Sequence, residues 1–314
     1  MTAGWTSERF GRVAVVYGGW SAERSVSLKS GAAVLAGLQR AGVDAHGIDA
    51  GRDILQVLAS GGFDRAFLIL HGRGGEDGCI QGGLDIIGLP YTGTGVLGSA
   101  LAMDKLRTKQ FWAGAGLPTP KWQILASADD AEFAGERIGL PLMIKPTLEG
   151  SSIGMTKVRR TDELVPAWRA AADFGPVIAE RFIEGEEVTV SLLGERALPA
   201  IRLETPRAFY DFAAKYEAGT TQYHLPSGLA PMVEERCREL ARSAFAALGG
   251  SGWGRVDLML DGVGQPWLIE ANTAPGMTDH SLVPMAAAHA GIGFDELVVD
   301  ILAQTLAGEP GEGP

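Results

Sequence analysis

Cysteine is nearly missing from this chain: Cys79 and Cys237 are the two it has, far apart and outside any CxxC or Cys/His grouping. That spacing argues against a disulfide framework or a sulfur-based zinc site, and reads as two free thiols in a reducing cytoplasm. Positive charge is short as well, with 27 Lys and Arg against 38 Asp and Glu and a net charge of -11. An acidic exterior opposes a nucleic-acid backbone and an anionic membrane surface, although a local basic cleft can coexist with it. The expectation is small-molecule chemistry, with no nucleic-acid and no membrane partner. No apolar run approaches the ~18 residues that span a bilayer, and residues 1–10 are polar where an export leader would be basic and then apolar. Repeats and low-complexity tracts are absent; the 44 glycines gather at turns without a period.

What is present is enough to fold. A hydrophobic content of 46% over 314 residues supplies a core for each of two or three domains. Residues 12–17 form a Val-rich run that ends in Gly18 and Gly19, and helical periodicity follows over 25–39. Apolar runs at 45–48 and 66–70 flank a short helical stretch at 54–58, so the N-terminal part reads as an open α/β sheet whose strand-end loops hold ligands. A helix over 100–113, stopped by Gly114, Gly116 and Pro118, leads into a second unit. That unit carries strands at 121–125, 142–145, 154–158 and 177–181, with helices at 129–138 and 163–172. After Gly185 the pattern turns antiparallel, with strands at 187–193, 198–202, 255–260 and 267–271 and helices at 232–248 and 294–307.

The segment from Gly252 to Ser281 carries the clearest chemistry. Two apolar strands flank a turn centred on Gly262 to Gly264, and symmetric pairing sets Asp257 opposite Glu270, roughly 5 Å apart at Cβ. Glu270 and Asn272, two apart on a strand, share its face. Two facing carboxylates repel unless a cation lies between them, and an all-oxygen trio suits Mg²⁺ holding phosphate. Solvated acids on an exposed hairpin are the plainer alternative; Arg255 on the same face as Asp257 weighs against it. The Ala274-Pro275-Gly276 turn offers backbone N–H groups to an oxyanion.

Other candidates are weaker singly. Lys105 and Lys145 are phosphate ligands or snorkelling surface lysines. The loop Glu149-Gly150-Ser151-Ser152-Ile153-Gly154 either brings backbone N–H groups to phosphate or is an ordinary turn, and it is neither a Walker loop nor a GxGxxG. Glu180-Arg181-Phe182-Ile183, with the acids Glu184 to Glu187 after it, places an apolar strand and a carboxylate where adenine and ribose would lie, or is a solvated face. Phe209 to Tyr216 reads as a long loop that closes over a site or as a satellite of the core. Glu23, in the first strand–helix turn, and His71, opening a glycine-rich loop, both fall on the ligand edge of the sheet.

Taken together, AERSVSLKSG, LHGRGGEDG, MDK, MIKPTLEGSSIGM, YDFAAKY, GWGRVDLML and IEANTAPGMTDHSLVP resemble, in order and over nearly the whole chain, the D-alanine:D-alanine ligases of the ATP-grasp superfamily. The resemblance implies a three-domain ATP-grasp fold, α/β and α+β, opening with a parallel α/β sheet and divided at 1–98, 99–186 and 187–314. It implies ATP between the central and C-terminal domains, two Mg²⁺ ions that Mn²⁺ can replace, two D-alanine subsites and a cytoplasmic homodimer feeding peptidoglycan synthesis. Carried over by position, Lys105, Lys145, Ser152 and Lys215 contact phosphates, and Glu180, Phe182, Ile183 and Glu187 surround adenine and ribose. Asp257, Glu270 and Asn272 hold the metals. Glu23 orients the first D-alanine, linked to Ser151 and Tyr216. Arg255 and Gly276 stabilise the tetrahedral intermediate, Ser281 and Leu282 engage the second substrate, and His71 positions substrate or handles protons. Tyr216 favours the dipeptide, because ligases forming D-alanyl-D-lactate tend to carry Phe there. Arg181 and Phe182 depart from the lysine and larger aromatic expected at the nucleotide strand. Another ATP-grasp ligase, such as a D-alanine:D-lactate or dipeptide ligase, and an inactive nucleotide-binding regulator are the alternatives.

Overall fold

The computed structural model describes residues 7–150, 152–205, 221–278 and 280–306. Its first unit is a parallel sheet of β1 (Arg12–Gly18), β2 (Asp44–Ala50) and β3 (Arg65–Leu68) in the order β2-β1-β3. Val13 to Val16 are fully buried, as a central parallel strand covered on both faces requires. Helix α1 (Arg24–Arg40) makes the crossover from β1 to β2. Gly18 and Gly19 turn the chain between them at φ 82° and 77°, and a Cβ at Gly18 would lie 2.0 Å from Asp49 Oδ1. The apolar run at 66–70 is paired as strand only to Leu68; Ile69 and Leu70 stay buried as the chain leaves the sheet edge. The helix Cys79–Ile87 was not legible, because its two glycines mask the apolar stripe.

The helix expected over 100–113 is two helices, Val96–Met103 and Lys105–Gly114, broken at Asp104. Asp104 is extended there, and its carboxylate accepts from the N–H groups of Leu106 and Arg107, capping the second helix. Apolar spacing runs on through the break, so only the cap residue signals it. The central sheet is antiparallel, with β4 (Trp122–Leu125), β5 (Leu142–Pro146), β6 (Thr156–Val158) and β7 (Val177–Arg181) in the order β4-β7-β5-β6. The helix Leu164–Ala172 packs on it, together with two short helices, Ala128–Glu132 and Ala134–Ile138, where one was expected.

The third sheet comprises β8 (Gly185–Leu193), β9 (Arg196–Ala197), β10 (Ile201–Glu204), β11 (Gln222–His224), β12 (Trp253–Asp261) and β13 (Pro266–Asn272). Its order is β11-β10-β8-β12-β13, with β9 on β8, and every pairing is antiparallel. Period-2 alternation on β12 decides the faces. Val256, Leu258 and Leu260 bury against the helix Pro231–Ala247, and Trp253, Arg255 and Asp257 point the other way. On that second side a core of Trp253, Leu198 and Ile201 is continuous with the helices Leu282–His289 and Phe294–Ala303 and with Val34 and Leu38 of α1. The N-terminal sheet is thereby docked beside the polar face of β12. Among the described residues, no single helix is long and apolar enough to cross a membrane.

Candidate active site

The hairpin pairs Asp257 with Glu270 and Arg255 with Asn272, as symmetric pairing predicts. The register then shifts by one, Leu258 facing Leu268, so Ile269 is the extra residue of a bulge. The bulge decides the site. In an unbroken strand Leu268 and Glu270 would share a face. Here Leu268 is buried with Leu258 against the helix Pro231–Ala247, while Glu270 and Asn272 turn to the face of Asp257.

Asp257 is nearly buried, and its carboxylate collects several donors. Thr189 Oγ1 donates to Oδ1 at 2.6 Å from β8, and Arg255 donates through Nε to Oδ1 and through Nη2 to Oδ2, both at 2.8 Å. Asn272 Nδ2 reaches Oδ2 at 3.3 Å. Glu270 lies 3.7 Å from the Lys105 ammonium, and Lys105 also donates to the Glu149 carbonyl at 2.7 Å. The helix beginning at Lys105 therefore ties the glycine loop to the hairpin.

A cavity of about 780 Å³ opens between this face and the N-terminal loops. Glu23, His71, Lys105, Arg255, Asn272, Gly276, Ser281 and Leu282 line it, with Glu270 at its wall. Glu23 stands at the N-terminus of α1 against two glycines: a Cβ at Gly72 would lie 3.0 Å, and one at Gly150 2.9 Å, from Glu23 Oε2. His71 is buried beside Ser30, Nε2 to Oγ 3.4 Å, and Ser30 accepts from the Met277 N–H at 3.1 Å. Burial holds the His71 imidazole below its usual range, opposed by the charge of Glu23, so it is neutral at neutral pH. The Ala274 backbone is engaged by His71 and by Glu76, and Pro275 has no N–H. Of the Ala274-Pro275-Gly276 turn, Gly276 lines the cavity with a backbone N–H.

A second, narrower cavity lies between the central and C-terminal sheets. Lys145, Ser152, Glu180, Phe182, Ile183 and Glu187 line it, together with Asp257 and Glu270. Glu270 thus borders both cavities. Lys145, at the buried end of β5, donates to Glu180 Oε1 at 3.0 Å. Ser152 holds a left-handed backbone, φ 61°, unusual for a residue with a side chain. Where Arg181 and Phe182 replace the expected pair, Lys157 of β6 sets its ammonium 3.3 Å from the centre of the Phe182 ring. Ser151, Lys215 and Tyr216 lie outside the described residues.

Two residues of this region were missed. Glu76 lines the first cavity and accepts from the Gly72 N–H at 2.6 Å. Burial, and then the charge of Glu23, push its carboxyl up to about 8. Lys109 is buried behind Glu180 and forms an ion pair with its second oxygen. Glu76 stood unread inside a quoted motif. Lys109 stood four residues after Lys105, and that helical spacing was its available signal.

Known proteins match this arrangement across the chain. The family described as D-ala D-ala ligase C-terminus matches residues 111–303. The D-alanine–D-alanine ligase of Stutzerimonas stutzeri is 58% identical over 300 residues, covering 95% of this chain and 96% of the relative. The crystal structure of D-alanine–D-alanine ligase from Bacillus anthracis superposes with a TM-score of 0.85 at 34% identity, covering 96% of this chain and 99% of the other. The structure of that enzyme complexed with ATP gives 0.83 at 31% with the same coverage. Because the hairpin, the glycine loop and the second cavity all fall within the matched span, and full-length relatives cover the N-terminal loops as well, the chain belongs to the D-alanine–D-alanine ligase family.

Proposed function

We propose that the chain joins two D-alanine molecules into D-alanyl-D-alanine at the expense of ATP, through an acyl phosphate, for peptidoglycan precursor synthesis. The observation that carries this reading is Glu270 at the wall common to both cavities, with Asp257 on one side and Asn272 on the other. Nucleotide in the narrow cavity and amino acid in the wide one would meet at the hairpin. The narrow cavity, about 90 Å³, must widen to admit a nucleotide.

Asp257, Glu270 and Asn272 present hard oxygen donors on one face, a set that fits Mg²⁺. Mg²⁺ held by these three residues would supply positive charge against the phosphates. Lys105, Lys145, Ser152 and Lys215 bind the phosphates in this reading. Glu180, Phe182, Ile183 and Glu187 receive the adenosine. Glu23, with Ser151 and Tyr216, holds the first D-alanine so that a carboxylate oxygen attacks the γ-phosphorus and ADP leaves. The second D-alanine, held at Ser281 and Leu282, then presents its amine to the acyl carbon; the C–N bond forms as the acyl C–O bond breaks, inorganic phosphate leaves and the amine gives up a proton. Arg255 and the Gly276 N–H stabilise the oxyanion that develops. Neutral His71, acceptor-capable at neutral pH, positions the substrate or takes a proton. The reading keeps the division at 1–98, 99–186 and 187–314 and takes the enzyme as a cytoplasmic homodimer.

A coupled phosphate-release assay with ATP, Mg²⁺ and a panel of D-amino acids tests it. D-Alanine alone is expected to support release of one phosphate per dipeptide. Release with D-alanine only when D-lactate or D-serine is added would overturn the substrate assignment and keep the phosphoryl chemistry.

A further inference from the structure

Three charges meet in a dry place beneath the second cavity. Glu180 of β7 is 2% exposed, and its carboxylate lies between two ammonium groups that are equally buried, Lys145 on one oxygen and Lys109 on the other. Lys145 and Glu180 face the cavity, and Lys109 stands behind them. Lys109 is aimed from the helix Lys105–Gly114 and donates to Thr119 Oγ1 at 2.7 Å, which in turn donates to the Leu268 carbonyl at 3.0 Å on β13. Two positive charges and one negative leave this buried cluster with a net charge of +1. A buried carboxylate with a single ammonium partner would consume that partner's charge.

We propose that Lys109 is a positioning residue of the nucleotide site: it neutralises Glu180 from behind, so that the Lys145 ammonium is left to attract the anionic phosphates. The proposal rests on the reading of the second cavity as the ATP site. Burial and the nearby Lys145 draw the Lys109 ammonium down to about 8 while Glu180 opposes them. Burial raises Glu180, but the two ammoniums outweigh it and hold the carboxylate below its ordinary range. Both directions agree with a carboxylate shared between two cations.

The discriminating quantity is the ratio of ATP affinity to adenosine affinity, because contacts to the base cancel in it. Titration calorimetry on the full-length protein gives both. In Lys109→Met the ratio is expected to fall ~10-fold or more, because Glu180 then claims Lys145. In Lys109→Met/Glu180→Gln it is expected to return to within about 3-fold of wild type, since the surplus charge is restored. Lys109→Arg keeps the ratio, and Glu180→Gln alone raises it. Should Lys109→Met fail to fold, Lys109→Arg and Glu180→Gln still decide. An unchanged ratio in Lys109→Met, no recovery in the double variant, or a lowered ratio in Glu180→Gln overturns the proposal. A wild-type protein that binds no ATP overturns the nucleotide reading itself, a failure distinguishable from an unchanged ratio in a protein that binds ATP.

Discussion

Asp257 is held in place by Thr189 and Arg255, so an isosteric change at this position tests charge and leaves shape alone. Asp257→Asn, or Glu270→Gln, is expected to lower kcat by ~10²–10³-fold or more, the scale of losing a key electrostatic group, with circular dichroism unchanged. A near-normal rate in either variant contradicts the metal assignment. Glu76 gives a prediction in pH. Its carboxyl titrates near 4.5 when unfolded and is pushed up to about 8 when folded. Between those values the unfolded state has lost a proton that the native state keeps, so this group lowers stability as pH rises, and its effect levels off above about 8. Glu76→Gln should therefore melt higher than wild type, by an amount that grows from pH 5 to pH 8 and reaches on the order of 1–3 kcal/mol. Parallel melting curves with no pH-dependent gap would refute the burial account. At this scale the hairpin acids were legible because alternation along a strand fixes which side chains share a face. Glu76 was not, since nothing local to it says that it will be buried; for Lys109 the four-residue spacing from Lys105 gives the shared helix face but not the Glu180 carboxylate that another element brings to it.

The bulge at Ile269 shows the same limit for an element. Alternation read from the sequence sets Asp257 opposite Glu270, but the apolar residue Leu268 must also face the helix, and only a one-residue slip satisfies both. The two-piece helix at 96–114 repeats the lesson, its apolar spacing continuing across a break that Asp104 dictates. Gly185 gives the prediction at this scale. It opens β8 at φ 154°, and a Cβ there would lie 1.7 Å from the Leu260 carbonyl oxygen of β12. Gly185→Ala must part β8 from β12 at that end. It is expected to cost about 2 kcal/mol or more, read in urea denaturation, and to weaken ATP binding. Wild-type stability would show that the strand end adjusts freely.

Across the whole molecule, the first and third units share one core. α1 packs on the helix Phe294–Ala303 through Leu38, Val298 and Gly37, whose Cβ position would lie 3.1 Å from Val298 Cγ2. Arg40 and Asp295 add an exposed ion pair along that seam. Val298→Ala should cost about 1–3 kcal/mol and lower the melting of both units together, while Arg40→Ala changes the melting temperature far less. Two separated transitions in Val298→Ala would contradict a continuous core. This seam places the wide cavity between the N-terminal loops and the hairpin. Sequence motifs identified both walls, but pattern within either segment carries no record of the other. The chemistry assigned to that cleft is tested most directly with D-alanine carrying ¹⁸O at both carboxylate oxygens, turned over with ATP and Mg²⁺. Attack of that carboxylate on the γ-phosphorus and later displacement by the second amine transfer one carboxylate oxygen to the released phosphate. Mass spectrometry is expected to find one ¹⁸O in each phosphate formed with dipeptide; dipeptide formed with unlabelled phosphate would contradict the acyl-phosphate route.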